Sequence, residues 1–162
     1  MDIVVYRFSI DRMLAGLARK LLILGHDTYL RTENDTLRAF LTRALEEDRI
    51  LITTSVRTYN IFKGSKRYAS LKFILARSED PHKLLEGLVG LGFNFERELV
   101  LKRCTICNYP LEEVKDHSCA EVPEYVKRKF STLWYCRSCG RYYWPGSHYM
   151  RMLKSVERYI ES

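Results

Sequence analysis

The stretch EEDRILITTSVRTYN, Glu46 to Asn60, passes from charge into an apolar run, Ile50 to Ile52, and stops on three hydroxyls, Thr53, Thr54 and Ser55. A short apolar run bounded in this way reads as a buried strand of an open α/β sheet. The carboxyl ends of such strands are where these folds carry their chemistry. The tip of this one carries no acid.

Working outward, NDTLRAFLTRALEED before the strand places Leu37, Phe40, Leu41, Ala44 and Leu45 at helical spacing, with Asn34 or Asp35 available as its N-cap. Further upstream, Ile3 to Ile10 reads as a first strand ending at Asp11. Met13 to Leu24 reads as a helix stopped by Gly25, and Asp27 to Thr32 as a second strand. Downstream, residues 56–70 are basic and weakly helical, and Lys72 to Ser78 reads as a fourth strand. EDPHKLLEGLVGLGF is a helix entered through Pro81 and ended by Gly90 and Gly92. The order β-α-β-α-β-(α)-β-α predicts an α/β layered fold with a mainly parallel sheet over residues 1–100.

Composition changes near residue 100. Two pairs, Cys104/Cys107 and Cys136/Cys139, frame a charged and aromatic segment. Each pair presents two thiolates from one tight turn, and together they supply the four soft ligands of a closed tetrahedral zinc site. With no open position the zinc is expected to be structural. The 28 residues between Cys107 and Cys136 must loop out. Cys119 is left over, and His117 and His148 are alternative ligands. The expected second unit, residues 101–162, is a zinc ribbon with a C-terminal amphipathic helix through Met152, Val156, Tyr159 and Ile160.

The chain holds 27 Lys and Arg against 20 Asp and Glu, a net charge of +7. Residues 1–100 have 16 basic and 13 acidic side chains, and residues 101–162 have 11 and 7, so the shorter part carries the larger excess. A basic surface points to an anionic partner, with nucleic acid the commonest case. No apolar run is long enough to span a membrane. No signal-peptide pattern opens the chain, and paired thiols favour metal in a reducing compartment, so a cytoplasmic protein is expected.

Acids recur where strands become helices: Asp11, Asp35 with Glu33, and Glu79 with Asp80. In a parallel sheet these meet at one edge, where clustered carboxylates hold Mg²⁺ or Mn²⁺ for phosphodiester hydrolysis. Each can also serve only as a helix cap. Cations beside aromatic rings mark nucleic-acid-binding candidates: Arg12, Arg19 and Lys20 near Asp11; Lys63, Lys66 and Arg67 in FKGSKRY; Lys127, Arg128 and Lys129 in YVKRKF; and Arg141 in CGRYYWPGSHY.

The segments RFSIDRMLAGLARKLLILGHDT, RILITTS, RSEDP, the two cysteine pairs and YYWPGSHYMRM, in this order, resemble the Mut7-C RNase family across essentially the whole chain. The resemblance implies a PIN-like nuclease fold followed by a zinc ribbon, and metal-dependent cleavage of RNA, which makes the basic candidates RNA-binding ones. It matches Asp11 to the acid after the first strand, Asp80 to an acid of the S-x-D-P segment, and the four paired cysteines to the ribbon ligands. It also implies an aspartate after the third strand, in a pattern like L-L-T-R-D, where this chain has Ser55. A further family acid falls at Asn34 or Asp35. Loss of one anion weakens a metal cluster by several kcal/mol. Two functions are therefore carried forward: a metal-dependent endoribonuclease with catalytic Asp11, Asp35 and Asp80, and a catalytically degenerate protein that binds RNA such as ribosomal RNA or tRNA on the same scaffold. An adaptor built on the zinc ribbon is a third, for which the +7 charge has no use.

Overall fold

The computed structural model describes residues 2–161. Four parallel strands, β1 (Arg7–Ile10), β2 (Asp27–Leu30), β3 (Ile50–Thr53) and β4 (Phe73–Leu75), form one sheet in the order β2-β1-β3-β4. The crossovers carry α1 (Ala15–Ile23), α2 (Leu37–Glu46) and α3 (Val56–Lys63), and α4 (Pro81–Gly90) follows β4. The central strands are buried on both faces because helices cover both. Phe8, Ile10 and Ile52 face a core with α1 and α4, while Leu51 packs with Phe40, Leu41, Ala44 and Phe62 of α2 and α3.

The elements run shorter than expected, for reasons visible in the pairing. β1 begins at Arg7 rather than Ile3 because its neighbours begin at Asp27 and Ile50, so Ile3 to Tyr6 overruns the sheet and Ile3, Val4 and Val5 are exposed. β4 keeps only Phe73 to Leu75 of the expected Lys72 to Ser78. The N-cap of α2 is neither Asn34 nor Asp35 but Thr36, whose Oγ1 accepts the Ala39 amide at 3.1 Å. The weak periodicity of residues 56–70 is resolved as α3, capped by Ser55, whose Oγ accepts the Thr58 amide at 3.1 Å.

Beyond residue 100, β5 (Glu112–Val114), β6 (Leu133–Tyr135) and β7 (Tyr142–Tyr143) form an antiparallel sheet, with α5 (Glu124–Lys129) in the long loop. The chain then returns. In α6 (Ser147–Lys154) and the turn after it, Met152, Val156 and Tyr159 are buried in the same core as Phe8, Leu17 and Leu85, and Ile160 bridges Phe95. The amphipathic C-terminal segment thus finds its apolar partner on the α/β layer, while the cysteine-bearing strands enclose a small core of Ala120, Val126 and Leu133.

The join is tight. The Leu101 amide donates to the Ile23 carbonyl at 2.8 Å. Gly25, at the end of α1, has φ +87°, and a Cβ there would lie 1.9 Å from the Leu99 carbonyl oxygen. Left-handed backbone alone costs a residue with a side chain about 1–3 kcal/mol, and here the methyl also has no space. Gly25→Ala is expected to lower the urea midpoint correspondingly, whereas Gly87→Ala, in open space within α4, is expected to leave it unchanged or raise it.

His26 sits fully buried, packed on Tyr6, Phe8 and Phe95. Its Nδ1 accepts the Tyr6 amide at 3.2 Å, so the proton is on Nε2, which finds no partner among the described residues. Burial, with help from the Arg103 charge, pushes its pKa down to about 4. The unfolded chain therefore takes up this proton first as pH falls. The contribution is whole above pH 6.5 and is lost between there and pH 4, amounting to roughly 3 kcal/mol at the lower limit. Urea unfolding at pH 7 and pH 5 is expected to show a stability loss of about 2 kcal/mol from this group, and His26→Gln is expected to flatten that part of the slope.

Candidate functional site

Because all four strands run the same way, their carboxyl ends share one rim. The register places Ile10 opposite both Leu30 and Ile52, and Thr53 opposite Leu75. Arg31, Asp11, Thr53 and Ala76 therefore stand in a row across the sheet, neighbours about 4.8 Å apart by strand spacing. The row is locked by amides: Asp11 to the Ile52 carbonyl at 3.0 Å, Arg31 to that of Ile10 at 2.9 Å and Ala76 to that of Thr53 at 2.8 Å.

Asp11 is nearly buried, 6% exposed. Its Oδ1 accepts the Arg12 amide at 2.9 Å, capping the turn that opens α1, and lies 3.6 Å from the Arg31 guanidinium. Its Oδ2 accepts the Thr53 hydroxyl at 2.8 Å. The Thr53 oxygen in turn accepts the Ser55 amide at 3.1 Å. Both carboxylate oxygens are thus engaged by the chain, and the nearest opposite charge is Arg31. That side chain is held from behind by the Phe40 ring, 5.4 Å from the guanidinium carbon, and donates to the Asp35 carbonyl at 3.3 Å.

Asp35 reaches the same neighbourhood through its backbone, but its carboxylate is turned to local work. Oδ2 accepts the Tyr29 hydroxyl at 2.5 Å, the Thr32 amide at 2.8 Å and the Thr32 hydroxyl at 2.9 Å. The Tyr29 hydrogen bond, then the Thr32 amide, hold its pKa below the ordinary carboxylate value. Asp80 is exposed and N-caps α4, accepting the His82 amide at 2.9 Å, with Pro81 in the first turn. Pro81 lies against Gly16 of α1, where a Cβ would come within 2.7 Å of its Cγ. This contact brings the start of α4 beside the start of α1. Asp11 and Asp80 therefore belong to one rim, yet among the described residues the three acids do not form a group close enough to share a metal.

The group that does is Cys104, Cys107, Cys136 and Cys139, whose sulfurs all lie within 4.8 Å of one another. All five cysteines are free thiols, and Cys119, His117 and His148 stand outside the group. Two matching turns build it. The Asn108 amide donates to the Cys104 carbonyl at 3.1 Å and the Gly140 amide to that of Cys136 at 2.8 Å. Asn108 and Gly140 both have positive φ, 66° and 74°, which Gly and Asn tolerate best. The Sγ separations of 3.7 Å for Cys104–Cys139 and 3.2 Å for Cys107–Cys136 approach the edge of about 3.8 Å set by tetrahedral bonds of ~2.3 Å. Burial pushes the Cys104 thiol up, but the Tyr143 hydroxyl and the amides of Cys107 and Ile106 more than offset this and bring it down to about 7. Burial pushes Cys136 up to about 12. Donors aimed at sulfur favour thiolate, the form a metal binds. The donor set fits a closed, soft-metal site.

The first of these turns is bolted to the α/β layer. Asn108 Nδ2 donates to Asp27 Oδ1 at 2.7 Å, and its Oδ1 accepts the Thr28 amide at 2.9 Å on the edge strand β2. Asp27 also receives Arg49, 6% exposed, at 2.7 Å.

The basic candidates divide by location. Arg12 is exposed beside Asp11, and Lys63, Lys66 and Arg67 are exposed on the crossover after β3. Lys20 is tied to the Ser155 carbonyl at 3.2 Å, and burial, then the Arg158 and Arg19 charges, lower its pKa. Lys127 donates to the Ser118 carbonyl at 3.1 Å. Arg19, Arg128, Lys129 and Arg141 are exposed. Arg31, Asp27, Arg49 and Asn108 carry no sequence signal of their own, and Thr53 is marked in the sequence only as a hydroxyl at the strand tip. The register of β1 on β2 is the signal that finds Arg31, one residue past the strand end and level with Asp11.

A four-stranded parallel α/β layer with an acid at a central strand tip is thus joined to a four-cysteine module. The Mut7-C RNAse domain matches residues 6–156, nearly the whole chain, and the protein belongs to that family. No curated protein and no solved structure matches it.

Proposed function

We propose that the protein binds RNA across the carboxyl edge of its parallel sheet, on a nuclease scaffold whose catalytic acids have been turned to structural use. The observation that carries this reading is the state of Asp11. Its charge is answered by Arg31 and its second oxygen accepts the Thr53 hydroxyl, so a divalent ion would have to compete with both for the carboxylate. Ser55, where the family pattern implies an aspartate, caps α3 instead. Family membership supplies RNA as the partner class, and a net charge of +7 with Arg12 exposed beside Asp11 suits a phosphate backbone. Structured stable RNAs such as ribosomal RNA or tRNA, met in the cytoplasm, are the proposed targets. The four thiolates take one structural Zn²⁺.

A second reading keeps hydrolysis: Asp11, Asp35 and Asp80 hold Mg²⁺ or Mn²⁺ and cut RNA. The family and the shared rim of Asp11 and Asp80 favour it, but it requires Arg31 to leave Asp11 and Asp35 to leave Tyr29. Incubating labelled tRNA and ribosomal RNA fragments with protein and Mn²⁺ tests the two together. Intact RNA, bound with an affinity that falls steeply between 50 and 200 mM salt as expected for several phosphate contacts, supports the first. Cleavage that vanishes in Asp11→Asn establishes the second.

A further inference from the structure

Between the cysteine module and α1 lies a cleft of about 680 Å³, a size usual for small-molecule pockets, about 300–1,000 Å³. It lies apart from the rim residues Asp11, Arg31 and Thr53. Tyr125 of α5, Tyr142 of β7 and Trp144 line it, and Arg19, Lys129 and Arg141 bring cations to it against the one carboxylate of Glu121. Tyr125 is 56% exposed. Among the described residues neither Tyr125 nor Trp144 pairs with another aromatic ring. Trp144 is seated on Gly146, where a Cβ would come within 2.9 Å of its indole Nε1.

An exposed tyrosine ring beside positive charge, with Tyr142 and Trp144 packed behind on the small core of the module, is the recognition chemistry of an unpaired nucleotide: the ring stacks on a base while the cations hold the flanking phosphates. A purely apolar ligand would leave the three cations without purpose, and an acidic peptide would leave the ring faces without one. Arg19 ties the cleft to the rim, since it stands on the helix that Asp11 and Arg12 lead into, roughly 10 Å along the axis from Arg12. We propose that this cleft takes an unpaired base of a single-stranded RNA segment, its backbone passing over Arg19 toward the Asp11 edge. The inference rests on the reading of the protein as RNA-binding and adds to it a base-stacking site outside the sheet edge.

The test uses the full-length, zinc-loaded protein and a short single-stranded RNA carrying 2-aminopurine. Binding is expected to quench the fluorescent base. Tyr125→Ala, an exposed position that leaves the core intact, is expected to lose about tenfold in affinity and most of the quenching, with Tyr125→Phe restoring both. Arg141→Ala is expected to weaken binding and lower its salt dependence. An RNA made abasic at the probe position is expected to bind the wild type as weakly as the intact RNA binds Tyr125→Ala. Binding that leaves the probe bright and is unmoved by Tyr125→Ala and Arg141→Ala, yet weakens in Arg12→Ala, overturns the base site while leaving the edge reading in place. A wild type that binds no RNA overturns both.

Discussion

Chelation of the four-cysteine site is expected to unfold the module around it while leaving the parallel sheet folded. The reason is size. The strands β5, β6 and β7 have three, three and two residues, and the fully enclosed apolar side chains they share with α5 are Ala120, Val126 and Leu133. Such a core contributes a few kcal/mol at most, since each large buried side chain is worth about 1.5–3 kcal/mol before chain entropy is subtracted. Closing a four-thiolate zinc site contributes apparent binding free energy of about 10–16 kcal/mol. Without it the entropy of a long loop between the two cysteine pairs is unopposed. Both tryptophans, Trp134 and Trp144, lie in this module, so their emission reports on it alone. A red shift on chelation, with far-ultraviolet helix signal largely kept and one zinc released per chain, is the expected result. Cys136→Ser, which removes a buried ligand, is expected to purify with the same spectrum. Unchanged emission after complete metal removal would contradict the assignment.

The second large effect is expected from Asp27→Ala, about 3 kcal/mol of destabilisation. Asp27 starts β2 and holds three groups at once: Arg49 at 2.7 Å, Asn108 Nδ2 at 2.7 Å and Arg7 at 3.2 Å. Arg49 is the one that makes the loss expensive. Its guanidinium is buried, also donating to the carbonyls of Phe8 at 3.1 Å and Asp27 at 3.2 Å. Glu47, at 2.5 Å, is left as its one carboxylate partner among the described residues when Asp27 is truncated. Burial alone pushes the Asp27 pKa up; the hydrogen bonds from Arg49 and Asn108, with the Arg49 and Arg103 charges, overcome it and hold the group below its usual value. The pair is therefore intact at neutral pH and fades only as pH falls below the ordinary carboxylate range. Because Asn108 belongs to the first metal turn, the same substitution should loosen the module, and zinc release measured with a colorimetric chelator is expected to be faster in Asp27→Ala. Asp27→Asn keeps the contact to Asn108 but not the charge, and is expected to fall between.

The sheet was legible in the sequence wherever apolar periodicity and punctuation coincided. Ile50 to Ile52, bounded by charge and hydroxyls, gave the central strand, and Pro81 with Asp80 gave the start of α4. The cysteine pairs gave the metal group outright, since the spacing within each pair is itself the geometry of a turn. The overrun of Ile3 to Val5 was not legible, because an apolar run does not reveal where its neighbours begin. α3 was faint because only Thr58 and Phe62 of its residues are buried, too few for a clear stripe. The N-cap of α2 was displaced to Thr36 because Asp35 had a better partner in Tyr29, a contact made across a turn. Arg31 was hidden for a deeper reason. Its role depends on strand register, and register is set by the whole sheet rather than by any local pattern. The acids were found by position, but what each carboxylate touches decides its chemistry.

The claim that Asp11 is already answered by its own chain can be tested directly by titrating Mn²⁺ into zinc-loaded protein and following bound metal by electron paramagnetic resonance. Only weak, non-saturating uptake, the same in wild type and Asp11→Asn, is the predicted result. One Mn²⁺ bound per chain at saturation and lost in Asp11→Asn would contradict it and return the carboxyl edge to catalysis.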